Sequence, residues 1–319
     1  MPSTSFLDGA CRLHDQGVIR ASGADAATFL QGQLTNDVMT LGLAGARLAG
    51  FCSAKGRLQA SFIVWREDSD TFLLACSKSL LAPTLKRLSM FILRAKCKLS
   101  DASSEVTLCG VSGAPAIALF DDAMVWSKHE HGSNVIVRLP DGAGRKRCVV
   151  AMPAGENIDS LAAPALSLDA WHWLEVQSGI VSIDAATVDR FVPQMVNYEL
   201  VGGVDFQKGC YPGQEVVARS QYRGTTKRRT FLFDCDAIPA AGQDVFAVDP
   251  GGTNPGSAEA VGTVANGAPH PVERGGSALV EVRLAALGQG SLRLGAADGP
   301  VLRRTELPYP VALEAEPAL

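Results

Sequence analysis

The segment Lys208-Gly209-Cys210-Tyr211-Pro212-Gly213-Gln214-Glu215 combines a thiol, a lysine, an amide and a carboxylate with two glycines and a proline. Its glycines permit backbone angles closed to other residues and its proline fixes φ, so the segment predicts a rigid loop rather than a piece of core. No helix breaker follows as far as Ser220, which predicts a helix that begins near Gly213. Cys210 would therefore lie just before a helix N-terminus.

A thiol at that position is a candidate reactive group. The unpaired N–H groups and the dipole of a helix N-terminus stabilise an anion, and Lys208 adds a positive charge two residues away. Both effects favour the thiolate, which is the form that attacks electrophiles and exchanges disulfides. The residues alone leave a second interpretation open, in which Cys210 is a small buried apolar side chain.

The composition predicts a protein of two or three modules in a reducing compartment. The chain has 319 residues, of which 47% are hydrophobic, enough for sizeable cores. No apolar run reaches the length of a membrane span and no signal pattern opens the sequence, so we expect a cytoplasmic protein with no membrane partner. Its eight cysteines lack CxxC or metal-finger spacing, which predicts free thiols and no permanently bound metal. The net charge of −4 argues against broad nonspecific binding of nucleic acid.

The pattern of apolar residues up to Arg229 predicts an α+β fold. Apolar residues recur at three- and four-residue steps from Ser77 to about Ala95, which predicts an amphipathic helix. Ser167 predicts the N-cap of a second helix, which ends near Gly179. Short alternating or apolar runs predict strands, among them Arg57–Val64, Thr71–Cys76, Glu105–Val111, Ala116–Phe120 and Arg145–Ala151. Strands around helices favour α+β packing, with ferredoxin-like βαβ pieces.

The pattern changes beyond Arg229. Strand-like runs there alternate with connections rich in Gly, Pro and Asn, and helical periodicity is almost absent, which predicts a small β-barrel. Within it, Asp249–Gly256 is expected to be an exposed loop. We therefore expect an α+β region over residues 1–229, of one or two subdomains, and a barrel domain over residues 230–319.

Several segments resemble one family. The Lys208–Glu215 run, followed by the basic segment Arg219–Arg229, resembles the signature of the YgfZ family, the folate-binding relatives of the glycine-cleavage T-protein, an aminomethyltransferase. Asn197–Phe206 is similar to the segment that precedes this motif in the family, and Phe29–Val38 resembles the N-terminal motif of both proteins. The chain is identified as a member of the YgfZ family. The resemblance implies a T-protein-like folate-binding body with a small C-terminal β-barrel.

The resemblance also implies a ligand, tetrahydrofolate or a derivative. Asn36 would line the folate pocket, although ordinary turn chemistry is the alternative for this side chain. Glu175 lies in a segment that resembles the T-protein segment whose glutamate binds the pterin ring, except that Trp173 replaces its arginine. A carboxylate suits that role because it accepts paired hydrogen bonds from the amino and imino groups of the ring. A solvated helix carboxylate is the alternative for Glu175.

The remaining implied roles belong to the loop and to the basic segment. Cys210 would be the working thiol and Lys208 its electrostatic partner, while Arg219 and Arg223 would pair with the carboxylates of the glutamyl tail. The residues expected to support the motif are Gly209, Tyr211, Gly213, Gln214 and Glu215.

The function implied by the resemblance is support for the synthesis or repair of iron–sulfur clusters in client enzymes, including enzymes that modify tRNA. Its partners would be folate and iron–sulfur client or assembly proteins. One cysteine cannot supply every ligand of a stable cluster, so any contact of a cluster with Cys210 would be transient or shared.

Two other functions remain open at this point. One is a folate-dependent one-carbon transferase or demethylase, but Ala60 and Ser61 stand where the aminomethyltransferase has a pair of aspartates, and neither can deprotonate an amine. The other is a tRNA-binding accessory protein that would use the basic segment Arg219–Arg229 for a weak contact. The acidic total charge and the scarcity of aromatic residues in that segment count against it.

Overall fold

The computed structural model describes residues 4–222, 226–248, 260–288 and 290–312. Within these ranges the chain forms two five-stranded sheets and one closed six-stranded barrel. All the strand pairs recorded between named strands are antiparallel. In the same part of the chain, no helix has the length and apolar character needed to cross a bilayer.

The first sheet has the strand order β1-β7-β10-β9-β8. Its strands are β1 (Gly9–Arg12), β7 (Val106–Ser112), β8 (Lys128–His131), β9 (Asn134–Gly142) and β10 (Arg145–Pro153). The helix α3 (Ala114–Phe120) covers one face of this sheet. The prediction of a strand over Ala116–Phe120 is therefore wrong. A short apolar run is compatible with either a strand or a buried helix. Here Gly113, with φ +75°, precedes the first turn and Pro115 lies within it, a combination that favours a helix.

The second sheet has the strand order β3-β4-β5-β2-β6. Its strands are β2 (Gln16–Ser22), β3 (Ala46–Cys52), β4 (Leu58–Arg66), β5 (Thr71–Ser77) and β6 (Lys98–Asp101). The helices α1 (Ala26–Gln31) and α2 (Lys78–Ser89) pack on one face. The helix predicted to reach Ala95 thus ends at Ser89, because the chain must turn there to bring β6 beside β2. Phe91 and Leu93 are consequently exposed, not core.

The free faces of the two sheets meet in one core, which α4 (Leu168–Gln177) also enters. Ser167 caps this helix as predicted, since its Oγ accepts a hydrogen bond from the Ala170 N–H at 3.1 Å. Trp171 is fully buried against Gly110 of β7, where an added Cβ would lie 2.5 Å from the indole ring. Only glycine therefore fits at that point of the sheet.

The barrel follows the body, as predicted. Its strands are β11 (Arg228–Cys235), β12 (Asp244–Val248), β13 (Ala260–Pro269), β14 (Gly276–Arg283), β15 (Ser291–Leu294) and β16 (Val301–Thr305), in the order β11-β14-β13-β12-β15-β16. Phe231, Phe233 and the aliphatic residues of all six strands fill its interior. The predicted loop at Asp249–Gly256 lies outside the described residues.

Polar contacts join the barrel to the body. The indole Nε1 of Trp173 and the amide of Gln177 both donate to Ser277 Oγ at 3.0 Å. After the last strand, the hydroxyl of Tyr309 donates to the carbonyl of Gly179 at 2.6 Å. The C-terminal end of α4 is thus fixed by barrel residues on two sides. The boundary predicted at residue 230 stays a prediction.

The predicted basic segment is partly used inside the protein. Arg228 forms an ion pair with Glu281, and Arg229 forms one with Glu199, whose side chain is only 6% exposed. Burial raises the pKa of Glu199, and the nearby Arg229 opposes that rise. Two of the five basic side chains that would contact tRNA are therefore neutralised by carboxylates of the chain.

Replacement of Arg229 by Met is expected to destabilise the protein by about 3–5 kcal/mol, because it leaves the Glu199 carboxylate buried and unpaired. The matched control is Arg219→Met, which removes an exposed i,i+4 pair with Glu215 and should cost at most about 0.5 kcal/mol. Urea unfolding of both variants measures the difference. Equal losses of unfolding free energy in the two variants would show that the buried pair of Arg229 and Glu199 stabilises the protein no more than the exposed pair does.

Candidate functional site

The loop that carries Cys210 is held in a fixed shape. The helix α5 (Gln214–Tyr222) begins where predicted, and Cys210 lies exposed four residues before it. Gly213 has φ +79°, and an added Cβ would lie 2.4 Å from the carbonyl oxygen of Ser53 and 2.6 Å from Gly56. The loop therefore packs directly on the turn between β3 and β4, where only glycine fits.

Lys208 anchors this loop to the end of α1. Its side chain is buried and Nζ donates to the carbonyl oxygens of Gln31 and Leu34, both at 2.5 Å. Nζ also lies 5.0 Å from the centroid of the Tyr211 ring, a cation–π contact. Burial lowers the pKa of Lys208 to about 8, so most of the amine is protonated at neutral pH. The structure thus gives Lys208 a structural role; its role as an electrostatic partner of Cys210 stays a prediction.

The other residues of the motif support the loop in different ways. Tyr211 is buried, and its carbonyl accepts a hydrogen bond from the Gln214 N–H at 3.2 Å. Glu215 is exposed and pairs with Arg219 at 2.6 Å. Gly209 has open space where a Cβ would stand, so this glycine meets no close contact.

Cys210 differs from every other cysteine in its exposure. Six of the eight cysteines are buried, Cys97 is half-buried, and Cys210 alone is exposed. Burial raises the pKa values of Cys11, Cys52, Cys76 and Cys148 to about 12, and that of Cys109 to about 11. The interpretation of Cys210 as a small core residue is therefore wrong. Across the described residues, no group of three or more His, Cys, Asp and Glu side chains is arranged to hold a metal ion.

A cavity of about 80 Å³ lies in the core between the two sheets. That volume is several times the roughly 10–15 Å³ that one water molecule needs on the same measure. Strands of both sheets and α4 form its walls, and its polar lining includes Ser61, Arg147 and Glu175. A second cavity of about 140 Å³ shares Gln16, Ser77 and Glu175 with the first and extends towards the barrel. A cavity at the meeting point of several structural units is a typical ligand site.

Glu175 is the residue that the two cavities share on α4. Burial raises the pKa of its carboxyl group, and the positive charges of His172 and Arg147 oppose that rise. His172 forms a hydrogen bond to Asp15 at 2.9 Å on the wall of the larger cavity. Burial alone would lower the pKa of His172, but Asp15 and Glu175 raise it above its ordinary value. Glu175 is half-buried and lines both cavities, whereas the alternative interpretation, a solvated helix carboxylate, would place it on the open surface.

Arg147 of β10 also lines the smaller cavity, and no sequence motif indicated this role. The side chain is 2% exposed, and Nε donates to the Pro140 carbonyl at 3.2 Å. Its Nη1 has no hydrogen-bond partner among the described residues. A buried donor without a partner costs about 1–3 kcal/mol. Burial lowers the pKa of Arg147 to about 10, so the guanidinium remains charged at neutral pH.

Asn36 lies away from both cavities. It is buried, and its Nδ2 donates to the carbonyls of Leu48 at 2.7 Å and Gly202 at 2.6 Å. Its Oδ1 accepts from the Asp37 N–H at 2.8 Å. These bonds to backbone are the chemistry expected of the alternative interpretation, and a contact of Asn36 with folate stays a prediction.

The structure brings the other predicted site residues together only in part. Arg219 is exposed on α5 and does not line either cavity, and Arg223 lies outside the described residues. No residue of the Lys208–Glu215 loop is among the described residues that line the two cavities. The thiol loop and the cavity at Glu175 are therefore two separate features.

The position of the expected aspartate pair is occupied by small side chains. Ala60 is buried in the core beneath α1 and α2, whereas Ser61 faces the cavity and its Oγ accepts a hydrogen bond from the Ile183 N–H at 2.8 Å. Neither residue brings a carboxylate to this part of β4.

The fold is that of the glycine-cleavage T-protein. The structure matches the crystal structure of the aminomethyltransferase T of the glycine cleavage system from Bartonella henselae with a TM-score of 0.70 and 16% sequence identity. The match covers 92% of this chain and 84% of that protein. This agreement confirms the predicted α+β body with a C-terminal barrel.

Sequence comparison then identifies the family, although no family model matches the chain. The tRNA-modifying protein YgfZ of Edwardsiella ictaluri is 35% identical over an alignment of 261 residues, and the match covers 73% of this chain and 74% of that protein. The protein of the same name from Klebsiella pneumoniae is 31% identical over 255 residues, with the same coverage. The chain belongs to the family of the tRNA-modifying protein YgfZ, as the sequence motifs predicted.

Alkylation should distinguish Cys210 from the other cysteines. Under native conditions, iodoacetamide at pH 8 is expected to modify about one thiol per chain rapidly, because only Cys210 is exposed. Cys210→Ser should remove this fast phase, whereas the control Cys97→Ser should retain it. Mass spectrometry of a time course measures both rates. A fast phase that persists in Cys210→Ser would contradict the exposure of this loop.

Proposed function

We propose that this protein binds tetrahydrofolate or a derivative in the cavity lined by Glu175. The observation that carries the proposal is the position of Glu175, whose carboxyl group lines a cavity between the two sheets. A carboxylate there can accept two hydrogen bonds from the amino and imino groups of a pterin ring. Arg147, with its unpaired Nη1, adds a hydrogen-bond donor to the same wall. The polar groups of the cavity therefore fit a heterocycle that carries both donors and acceptors.

We further propose that bound folate and Cys210 together support the assembly or repair of iron–sulfur clusters in client enzymes. The relatives are tRNA-modifying proteins by name, and client enzymes that modify tRNA would account for that role. The exposed thiol on a rigid loop is available to a protein partner, and the folate cavity lies elsewhere. In this scheme folate binding and thiol chemistry are separable functions of one body.

An aminomethyl transfer is the less favoured function. It has the support of the T-protein fold. Ala60 and Ser61, however, leave β4 without the carboxylates that such a transfer would use, and Ser61 is engaged by a backbone N–H. A direct contact with tRNA is also weakened, because Arg228 and Arg229 are neutralised within the protein.

Replacement of Glu175 by Gln is expected to weaken tetrahydrofolate binding by about tenfold to a hundredfold, because a charge-assisted pair of hydrogen bonds is lost. Calorimetric titration of native protein and variant measures the change. The control is Asp169→Asn, which alters an exposed carboxylate on the same helix that lines neither cavity. Absence of binding to the native protein, or an unchanged affinity in Glu175→Gln, would contradict the proposal.

The same variant should show an unusual dependence of stability on pH. A carboxyl group whose pKa is raised in the folded state binds its proton more tightly there, so its contribution to stability falls as pH rises through that pKa. Glu175→Gln is thus expected to melt at a higher temperature than native protein at pH 7. The difference should narrow as the pH falls towards the ordinary carboxyl pKa. Thermal melts from pH 4 to 8 measure it, and a variant that is less stable at pH 7 would refute the assignment.

A further inference from the structure

Arg147 enters the cavity wall with a donor that the protein does not use. Nε is bonded to Pro140, and the carbon at the centre of the guanidinium lies 5.0 Å from the centroid of the Trp171 ring. These two contacts fix the orientation of the group, while Nη1 has no partner in the described residues. Buried polar groups in proteins are almost always paired. Arg147 is therefore a fixed cation in the cavity wall with hydrogen-bonding capacity that the protein leaves unused, which suits an acceptor atom of a ligand.

Arg147 and Glu175 line the same cavity without forming an ion pair with each other. They belong to different walls, Arg147 to β10 and Glu175 to α4. A carboxylate only accepts hydrogen bonds and a guanidinium only donates them. The cavity thus offers a ligand one accepting and one donating group at two positions.

The edge of a pterin ring carries the complementary pattern. Its 2-amino group and N3–H are donors, and the adjacent 4-oxo group is an acceptor. If Glu175 accepts from the two donors, the 4-oxo oxygen still requires a donor from the protein. We propose that Arg147 supplies it and so makes the site selective for 4-oxo over 4-amino pteridines. This inference rests on the proposed folate function and names the residue that would bind the 4-oxo group of the ring.

The selectivity can be measured first on the native protein. Tetrahydrofolate and its 4-amino-4-deoxy analogue differ at C4, the group that Arg147 would contact, and also at N3, which carries a hydrogen only in the 4-oxo compound. The ratio measured on native protein therefore reports the contacts of both Arg147 and Glu175. The 4-amino group of the analogue is a donor and would face the guanidinium of Arg147, which is also a donor. We therefore expect the analogue to bind at least about tenfold more weakly, as when a ligand leaves a buried polar group unpaired. Calorimetric titration with each compound gives the ratio of affinities.

The second measurement uses Arg147→Met, which keeps an unbranched apolar stem but removes the guanidinium. Tetrahydrofolate should bind about tenfold or more weakly to this variant, and the ratio between the two ligands should fall well below the native ratio, because the contact at C4 is lost while the contact with Glu175 remains. The matched control is Arg138→Met on the neighbouring strand β9. Arg138 is equally buried and also has an unpaired nitrogen, Nε, but its Nη atoms are bonded to Leu139, Arg147 and Asp141, and it does not line the cavity. This control should retain the native ratio even if its melting temperature falls.

The outcomes separate the two proposals. If native protein fails to bind tetrahydrofolate, the folate function is wrong and the role of Arg147 with it. If native protein binds both ligands equally well, or Arg147→Met keeps the full preference for the 4-oxo ligand, the role of Arg147 is wrong while the folate function stands. Should Arg147→Met fail to fold, Arg147→Gln, which keeps a shorter polar side chain but removes the guanidinium, gives the ratio instead.

Discussion

The packing of Trp171 on Gly110 is the constraint on which the arrangement of the cavity depends. The indole ring occupies the space that any side chain at position 110 would need, and it supports the Arg147 guanidinium on its face. This contact sets the distance of α4 from β7 and therefore the place where Glu175 enters the core. The barrel holds the same helix through the hydrogen bonds that Trp173 and Gln177 donate to Ser277.

The thiol loop and the cavity are separate features, yet both depend on β4. Gly213 rests on the turn that leads into this strand, and Ser61 further along the same strand faces the cavity. The loop is also fastened through Lys208 to the end of α1, which packs on the same sheet. The second sheet thus helps to position both the cavity and the loop that carries the exposed thiol.

The sequence predicts those elements whose structure is decided by neighbouring residues. The thiol loop, α4 and the barrel are predicted in this way, from the glycines and the proline around Cys210, from the Ser167 cap and from the strand-like runs after Arg229. The predictions fail where the structure depends on residues that are distant in sequence. The end of α2 is set by the pairing of β6 with β2, and α3 replaced a strand because an apolar run of that length fits both. Arg147 could not be recognised either, since in a run of three basic residues and a cysteine nothing marks which one points into the core.

The hydrogen bond from Tyr309 to the carbonyl of Gly179 joins residues 130 positions apart. Asn197 approaches the same hydroxyl at 3.3 Å, and the Tyr309 ring occupies the space beside Gly179. On the ribosome, α4 emerges long before Tyr309 is made. The end of α4 beside the cavity therefore lacks its contact with Tyr309 until the whole barrel has been synthesised. The wall of the cavity at this end of α4 is thus completed late in synthesis, by a segment that follows the last strand of the barrel.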